Sequence, residues 1–550
     1  MSPATTTVLR PSRTDAQALK RVLLVIPPLT NPASDGAMDT TRPDFETRRL
    51  VSPVEPANVA GDLLRRGLEV EIFDLGVFTD GRRYDHLADK LARYKADAVV
   101  VVQSILTFVT AMDWECDRIF NLARAANPGV VTVLTGNHAT NYPGKAVGEG
   151  VCDYSIRGEV DLAVGKLLEI LAGGGDLSGV PGVAYRGQDG KPVVVDKYPE
   201  VDLADIAMPA YGILDATHVE GYATVLEKGK IRYPEKSPHY RDIMGSRSCI
   251  LRCAFCSVSH LRGPRQKYRR KAPERIIAEI EQALEQGIKE IHFFDDLFAH
   301  NEADVFTFTN EIARRNLKFD WFIGQGMPLW VMNWDTLSAM RDTGMYRVIA
   351  PFETGSNRVL KEVVGKIHST VEHHSNVAKW VQKLGMELMG LFVIGLPGET
   401  REDILTTLEF AEAHPEIDYS VFSIATPLVG TRLMRAAARD HGFTEHDQIN
   451  RVIKRTVGLF RTGQFNQYEL GVIRSYDWIR INFSTEQRRR KYAGMVGMTM
   501  DELDAAIQDS INVFTRFFPD YDGPKSFREL YNRPDLYTAL EPIIPKQLYS

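Results

Sequence analysis

SRSCILRCAFCSV, residues Ser246 to Val258, holds three of the five cysteines of this 550-residue chain. Cys249, Cys253 and Cys256 follow the order Cys-x-x-x-Cys-x-x-Cys and stand just ahead of a helical pattern. Three thiolates on one tight loop can each take one iron of a cubane cluster, which leaves the fourth iron open to a small molecule. No fourth cysteine lies nearby. Cys116 and Cys152 are far upstream and read as buried structural thiols. The same residues allow a second chemistry, a Cys3His zinc site completed by His260, although zinc ribbons use two knuckles with a spacer and this is one continuous loop.

Downstream of the loop, helical and strand patterns alternate. APERIIAEIEQALEQG has Pro273 at a first helical position and apolar residues at 276, 277, 280 and 284, one face of a helix. IKEIHFFDD follows as a strand ending in acids. Four more pairs run to YSVFSIATP, at Tyr419 to Pro427. Roughly six βα units are too few for a closed eight-stranded barrel and fit an open one.

Upstream, RVLLVI (Arg21–Ile26), EVEIFDL, ADAVVVVQS, VVTVLTG and CDYSIRG read as strands separated by helices, including one expected from Glu159 to Leu171. That alternation predicts a doubly wound parallel sheet, whose ligands bind beyond the carboxyl ends of its strands. Three loops are expected at that edge: Pro27 to Pro53, Thr135 to Thr140, and Arg157 to Glu159. Gly173 to Pro181 reads as a linker, followed by a hairpin around QDGK. The expected organisation is a disordered tail at 1–20, a Rossmann-like domain at 21–172, a linker and hairpin at 173–240, a partial (β/α)6 barrel at 241–435 and a mainly helical region at 436–550. The fold class is α/β.

A net charge of -6 argues against a nucleic-acid protein driven by bulk charge. The polar N-terminus and the interrupted apolar run Ala98 to Met112 predict no membrane span and a cytoplasmic protein. An odd, clustered set of cysteines is not a disulfide framework.

CILRCAFC, with Phe255 before the last cysteine, resembles the cluster motif of radical S-adenosylmethionine (radical SAM) enzymes. The resemblance implies a 4Fe-4S cluster on Cys249, Cys253 and Cys256. Its open iron would bind S-adenosylmethionine and cleave it reductively to a 5′-deoxyadenosyl radical. FFDDLF resembles the segment that binds the methionine amino group, which makes Asp295 and Asp296 candidates. APFETGSNRVLKEVVGK resembles the fourth-strand segment, with Glu353 and Ser356 as ribose or sulfonium contacts; Ser356 is equally a turn residue. FVIGLPGET resembles the adenine side, where the backbone at Ile394 and Gly395 meets the base, and TPLVGTRL the segment closing the sixth strand.

TGNHATNYPGKAV and CDYSIRGEVDL resemble the cobalamin-binding domain of one radical SAM subclass. Gly136, His138 and Gly158 become cofactor-binding candidates, with His138 either a cofactor contact or a satisfied loop histidine. The segment Pro27 to Pro53 contains no histidine, so no histidine lower ligand to cobalt is expected from it. The implied function is methyl transfer from methylcobalamin to an unactivated centre of a small-molecule substrate, with a flavodoxin or ferredoxin as electron donor. General similarity favours the P-methyltransferases of phosphinothricin tripeptide biosynthesis, an antibiotic pathway, which act on the phosphinate P–H of N-acetyl-demethylphosphinothricin. Arg474, Arg480 and the run Arg488–Lys491 are cations available to such a substrate, although each taken singly reads better as part of a solvated helix face. The alternatives are a C-methyltransferase on another natural product, a cobalamin radical SAM cyclase, and a non-enzymatic cobalamin sensor with a zinc knuckle.

Overall fold

A computed structural model describes residues 19–27, 53–78, 82–103, 112–214, 236–237, 239–265, 267–441, 460, 462–465, 470, 474 and 478–517. Most of the Pro27 to Pro53 loop and nearly all of the expected 1–20 tail lie outside them. The chain forms two compact units. The first takes Val258–Lys271 as well as the N-terminal part, and the second takes the cysteine loop and the remainder.

The first unit is built on β1 (Arg21–Ile26), α1 (Val54–Arg65), β2 (Glu69–Asp74), α2 (Arg83–Tyr94), β3 (Ala98–Val101), α3 (Met112–Ala126), β4 (Val131–Thr135), α4 (Asn137–Asn141), α5 (Lys145–Gly148), β5 (Tyr154–Ile156), α6 (Ala163–Gly173), β6 (Val183–Arg186), β7 (Pro192–Val194) and α7 (Val258–Arg262). Its central strands β1 and β3 are apolar without alternation because both faces are buried. Val22 and Leu24 of β1 enter one core, Leu23 and Val25 the other. Ala98 and Val100 of β3 divide from Val99 and Val101 in the same way. The strand order is β2-β1-β3-β4-β5-β6-β7, parallel through β5 and antiparallel beyond it.

Two expectations are corrected here. The hairpin β6–β7 is not part of a linker, because β6 pairs with β5 and extends the first sheet past residue 172. The helix expected from Glu159 begins at Ala163, and Glu159 lies before it with its carboxylate held by two arginines. Arg269 grips it through Nη1 at 2.9 Å and Nη2 at 2.6 Å, and Arg262 Nη1 lies 3.8 Å away.

The second unit carries a six-stranded, all-parallel open sheet. Its strands are β8 (Tyr240–Ile243), β9 (Glu290–Phe293), β10 (Asp320–Ile323), β11 (Met345–Glu353), β12 (Glu387–Ile394) and β13 (Tyr419–Ile424), in chain order across the sheet. The helices α8 (Pro273–Glu285), α9 (Glu302–Arg314), α10 (Trp334–Asp342), α11 (Val371–Lys383), α12 (Arg401–Ala413) and α13 (Arg432–His441) alternate with or follow them. This is the expected six-unit open barrel.

Val348 and Phe352 of β11, Phe392 and Ile394 of β12, and Phe422 of β13 pack in the core shared with the helices. Tyr346, Met389 and Tyr419 form a separate cluster with Tyr492, Ala493 and Leu503. Those last three come from α14 (Glu486–Val496) and α15 (Met500–Phe517). Among the described residues, α14 and α15 therefore pack as part of the barrel unit. Arg474 and Asn482, which precede α14, cover the free edge of β13. Ser420 N donates to Asn482 Oδ1 (2.7 Å), Asn482 Nδ2 donates to Ser420 O (2.9 Å), and Arg474 Nε donates to Phe422 O (3.2 Å). Edge strands need such partners for their unpaired backbone groups. No helix among the described residues is long and apolar enough to cross a membrane.

Candidate active site

Cys249, Cys253 and Cys256 lie in the loop after β8, at the carboxyl edge of the parallel sheet, where such folds gather their chemistry. The loop is pinned at its centre. Ala254 N donates to Val364 O (2.9 Å), at the end of a π-helical turn Val359–Val364, and Leu433 N donates to Ala254 O (3.0 Å). Cys256 N donates to Cys253 O (3.2 Å). The entry to the loop is braced too. Ser248 adopts left-handed backbone (φ 67°) and gives its N–H to Asp296 Oδ2 at 2.7 Å. The Ser246 hydroxyl donates to Asp295 Oδ1 at 2.6 Å and contacts Leu297 O at 2.7 Å. The structure thus places Asp295 and Asp296 on the backbone and hydroxyl that hold the cysteine loop.

None of the three cysteines is in a disulfide, and all are half-buried. Burial pushes the Cys249 thiol up and the Cys253 thiol up to about 11. Such thiols are neutral when alone. A bound metal deprotonates a coordinating thiol outright, so the donor set suits a site that is completed by a cationic cluster. Each thiolate of a cubane takes its own iron, so the three need not converge on one point. The zinc alternative loses its fourth ligand: His260 Nε2 lies 3.1 Å from Asn141 Oδ1, hydrogen-bonded within the first unit. Among the described residues no three His, Cys, Asp or Glu side chains gather to hold a single ion.

Glu353 ends β11 in left-handed backbone (φ 64°), an uncommon conformation for a residue with a Cβ. Its Oε1 accepts from Lys366 Nζ at 2.7 Å, and Lys366 also donates to Pro351 O at 3.1 Å. Burial works against the Lys366 ammonium, but the Glu353 carboxylate and the neighbouring Cys253 and Cys249 keep its pKa above the ordinary lysine value. Lys366 in turn draws both thiols downward. Lys366 was legible only as the last residue of VVGK, a surface-like position in sequence; burial is what makes it a site residue.

Ser356 gives its hydroxyl to Asp403 Oδ1 (2.8 Å), which completes the capping box of α12 with Thr400 and also pairs with Arg358. Burial opposes the charge on Asp403, yet Arg358 and Thr400 hold its pKa at about 2. Ile394 is fully buried at the end of β12, and Gly395 takes φ 80° where a Cβ would lie 2.5 Å from Leu470 Cδ1. Glu399, missed in the sequence, accepts from Leu396 N at 2.7 Å while burial raises its pKa to about 8. Phe255 packs partly buried on the barrel core.

The cations suggested for a phosphinate are all engaged elsewhere. Arg474 is buried on the β13 edge, Arg480 pairs with Glu412, and Arg488 caps α12 by donating to Ala411 O (3.2 Å) and His414 O (3.0 Å). Arg489, Arg490 and Lys491 pair with Asp504, Glu486 and Asp418.

In the first unit, Thr140 joins two of the predicted glycines. Its hydroxyl donates to Gly136 O (2.7 Å) and accepts from Gly158 N (2.9 Å), which ties the β4 and β5 carboxyl ends together. Gly136 (φ 95°) and Gly158 (φ 73°) both adopt backbone that favours glycine. His138 is buried in α4 against Tyr142, ring centroids 5.4 Å apart. Beside Gly136 lies Gln103, 3% exposed, with neither Oε1 nor Nε2 hydrogen-bonded. An orphaned buried carboxamide at this edge fits a ligand rich in amides, such as cobalamin.

The radical SAM superfamily model matches residues 243–411. An uncharacterized methyltransferase of Pyrococcus horikoshii is 30% identical over 420 residues, covering 76% of this chain and 83% of the relative. Cytidylyl-2-hydroxyethylphosphonate methyltransferase of Streptomyces wedmorensis is 26% identical over 446 residues, covering 73% of this chain and 80% of the relative. The fold is similar to that of TsrM, a radical SAM methyltransferase of Kitasatospora setae solved with cobalamin and a 4Fe-4S cluster, with a TM-score of 0.59, 18% identity and 76% of each chain covered. The chain belongs to the radical SAM superfamily, in the same family as the archaeal methyltransferase.

Proposed function

We propose that this chain is a cobalamin-dependent radical SAM methyltransferase acting on a small phosphorus oxyanion, with the phosphinate P–H of N-acetyl-demethylphosphinothricin as the specific substrate. The observation that carries the radical chemistry is the braced loop of three free thiols at the carboxyl edge of the six-stranded sheet, beside the Lys366–Glu353 pair. Methyl transfer is supported by the names of both relatives, and a phosphorus-bearing substrate by the phosphonate in one of them. Cobalamin is supported by the doubly wound first sheet, its likeness in fold to TsrM, and the edge formed by Gly136, Thr140 and Gly158.

When bound, the cluster and S-adenosylmethionine supply a 5′-deoxyadenosyl radical, and cobalamin supplies the methyl group. Cys249, Cys253 and Cys256 hold the cluster as thiolates. Lys366 keeps a cation beside them, and Glu353 fixes that cation in place. Asp295 and Asp296 hold the loop entry rigid, so the thiols do not lose their geometry when an electron arrives from a flavodoxin or ferredoxin. Gly395, without a side chain, lets Leu470 pack against the backbone at the end of β12.

The test is anaerobic reconstitution with iron, sulfide and hydroxocobalamin, followed by S-adenosylmethionine, reductant and the phosphinate. Products are read by mass spectrometry and phosphorus NMR. A methylated phosphinate formed together with S-adenosylhomocysteine and 5′-deoxyadenosine supports the whole proposal. A product methylated at carbon keeps the enzyme class and moves the methyl acceptor. Zinc in place of a cluster, with no deoxyadenosine, refutes it.

A further inference from the structure

Gln103 stands where three strand ends of the first sheet meet. Val102 N donates to Val25 O (2.9 Å), which carries the β1–β3 pairing up to the residue before it. On the other side Thr135 Oγ1 donates to Val101 O (3.0 Å). Strands β1 and β3 are neighbours although β2 lies beyond β1, so the winding of the sheet reverses between them. Doubly wound sheets bind their ligands in the crevice at that reversal. The backbone at Gly136 presses on Gln103 closely enough that a Cβ there would lie 2.5 Å from Gln103 O and 2.8 Å from Gln103 Cβ.

A carboxamide offers two donor hydrogens and two acceptor positions. Gln103 uses none of them inside the protein, though it is almost fully buried. The residues leading into it, Val99 to Val102, are wholly buried aliphatics. Buried polar atoms are nearly always paired, so an orphan amide in such surroundings calls for a partner from outside the chain. Most side-chain types would be cheaper there if nothing bound.

We propose that Gln103 is a cobalamin-binding residue whose carboxamide pairs with an amide side arm of the corrin. The inference rests on the cobalamin reading above and adds a residue that no motif singled out. An amide pairs with an amide through one donated and one accepted hydrogen bond, which is the pair of functions Gln103 leaves unused. Its place next to Gly136 puts it at the same edge as Thr140, His138 and Gly158.

The test uses the full chain with its cluster reconstituted and cobalamin withheld. Hydroxocobalamin is titrated in and followed by absorbance, for wild type, Gln103→Leu and Gln103→Glu. Thermal melts without cobalamin, and iron content, are recorded on each. The expected result is that Gln103→Leu melts at or above wild type, keeps its iron, and binds cobalamin roughly tenfold more weakly, the loss of about one well-made hydrogen-bonded contact. Gln103→Glu, which keeps only acceptors, should lose part of that affinity and covers the case in which the leucine variant fails to fold. Wild-type affinity in both variants would overturn the assignment while leaving cobalamin binding intact. A wild type that binds no cobalamin would overturn this inference and the cobalamin reading together.

Discussion

Replacing Glu353 by glutamine strips the partner from a buried ammonium. At 2.7 Å from Lys366 Nζ, with each side chain 9% exposed, the gross attraction is ~6 kcal/mol at an effective dielectric of 20. Desolvation of both ions offsets much of that. Removing one partner of such a pair typically costs about 3–5 kcal/mol, because the other charge stays buried and alone. Glu353→Gln should therefore lose about that much stability, as should Lys366→Met. The double variant should lose less than either single change, since it leaves no orphan charge. Melts of the cluster-free chain and its three variants close the thermodynamic cycle.

The thiols give a second readout that a purely structural pair would not move. Lys366 lowers the Cys253 thiol and Glu353 raises it. Relative to wild type, the pH midpoint of Cys253 alkylation should rise in Lys366→Met and fall in Glu353→Gln. Additive melts and an unchanged alkylation midpoint would refute the coupling of this pair to the cluster loop.

Three further outcomes follow from the same geometry. His374 is fully buried in α11 with neither ring nitrogen hydrogen-bonded, and burial holds its pKa at about 3. Its unfolded value is near 6.5, so it costs the fold stability as pH falls below that; His374→Leu should stabilise the chain by about 2 kcal/mol at pH 5 and little at pH 8, read from melts at both. His292 has the opposite sign. Burial opposes its charge, but Asp242 (3.4 Å) and Glu290 (2.9 Å) raise it to about 9, so its contribution is full below pH 6.5 and is lost as pH rises through 9; in Glu290→Gln the melting temperature should change less between pH 6 and pH 9.5 than in wild type. Asn482→Ala removes both side-chain bonds to Ser420 at the β13 edge and should cost about 2–3 kcal/mol, with hydrogen exchange rising first at Tyr419–Ile424.

Local periodicity and spacing were enough to read the architecture. An unbroken apolar strand such as RVLLVI has to be covered on both faces, which is why the alternating first half declares a doubly wound sheet. Cys-x-x-x-Cys-x-x-Cys on one loop confines its own chemistry, because the ligands are neighbours in the chain. Glycines that need positive φ, such as Gly136 and Gly158, are likewise visible as residues. The hairpin β6–β7 was legible as a hairpin but not as sheet, because its partner strand is chosen by edge pairing and not by its own pattern.

What tertiary structure alone decided concerns the partners of polar side chains. The acids after β9 were read in sequence as ligand contacts, and the fold adds that one oxygen of each accepts from Ser246 or Ser248. The arginines of the C-terminal region looked like an anion site, and the fold uses them on a strand edge, a helix end and ion pairs. Lys366 and Gln103 looked ordinary, and only the fold shows that both are buried. Sequence carries a side chain's chemistry and its periodic face. Which other side chain, if any, satisfies it depends on contacts between residues far apart in the chain, and a buried polar group gains or loses its meaning with that partner.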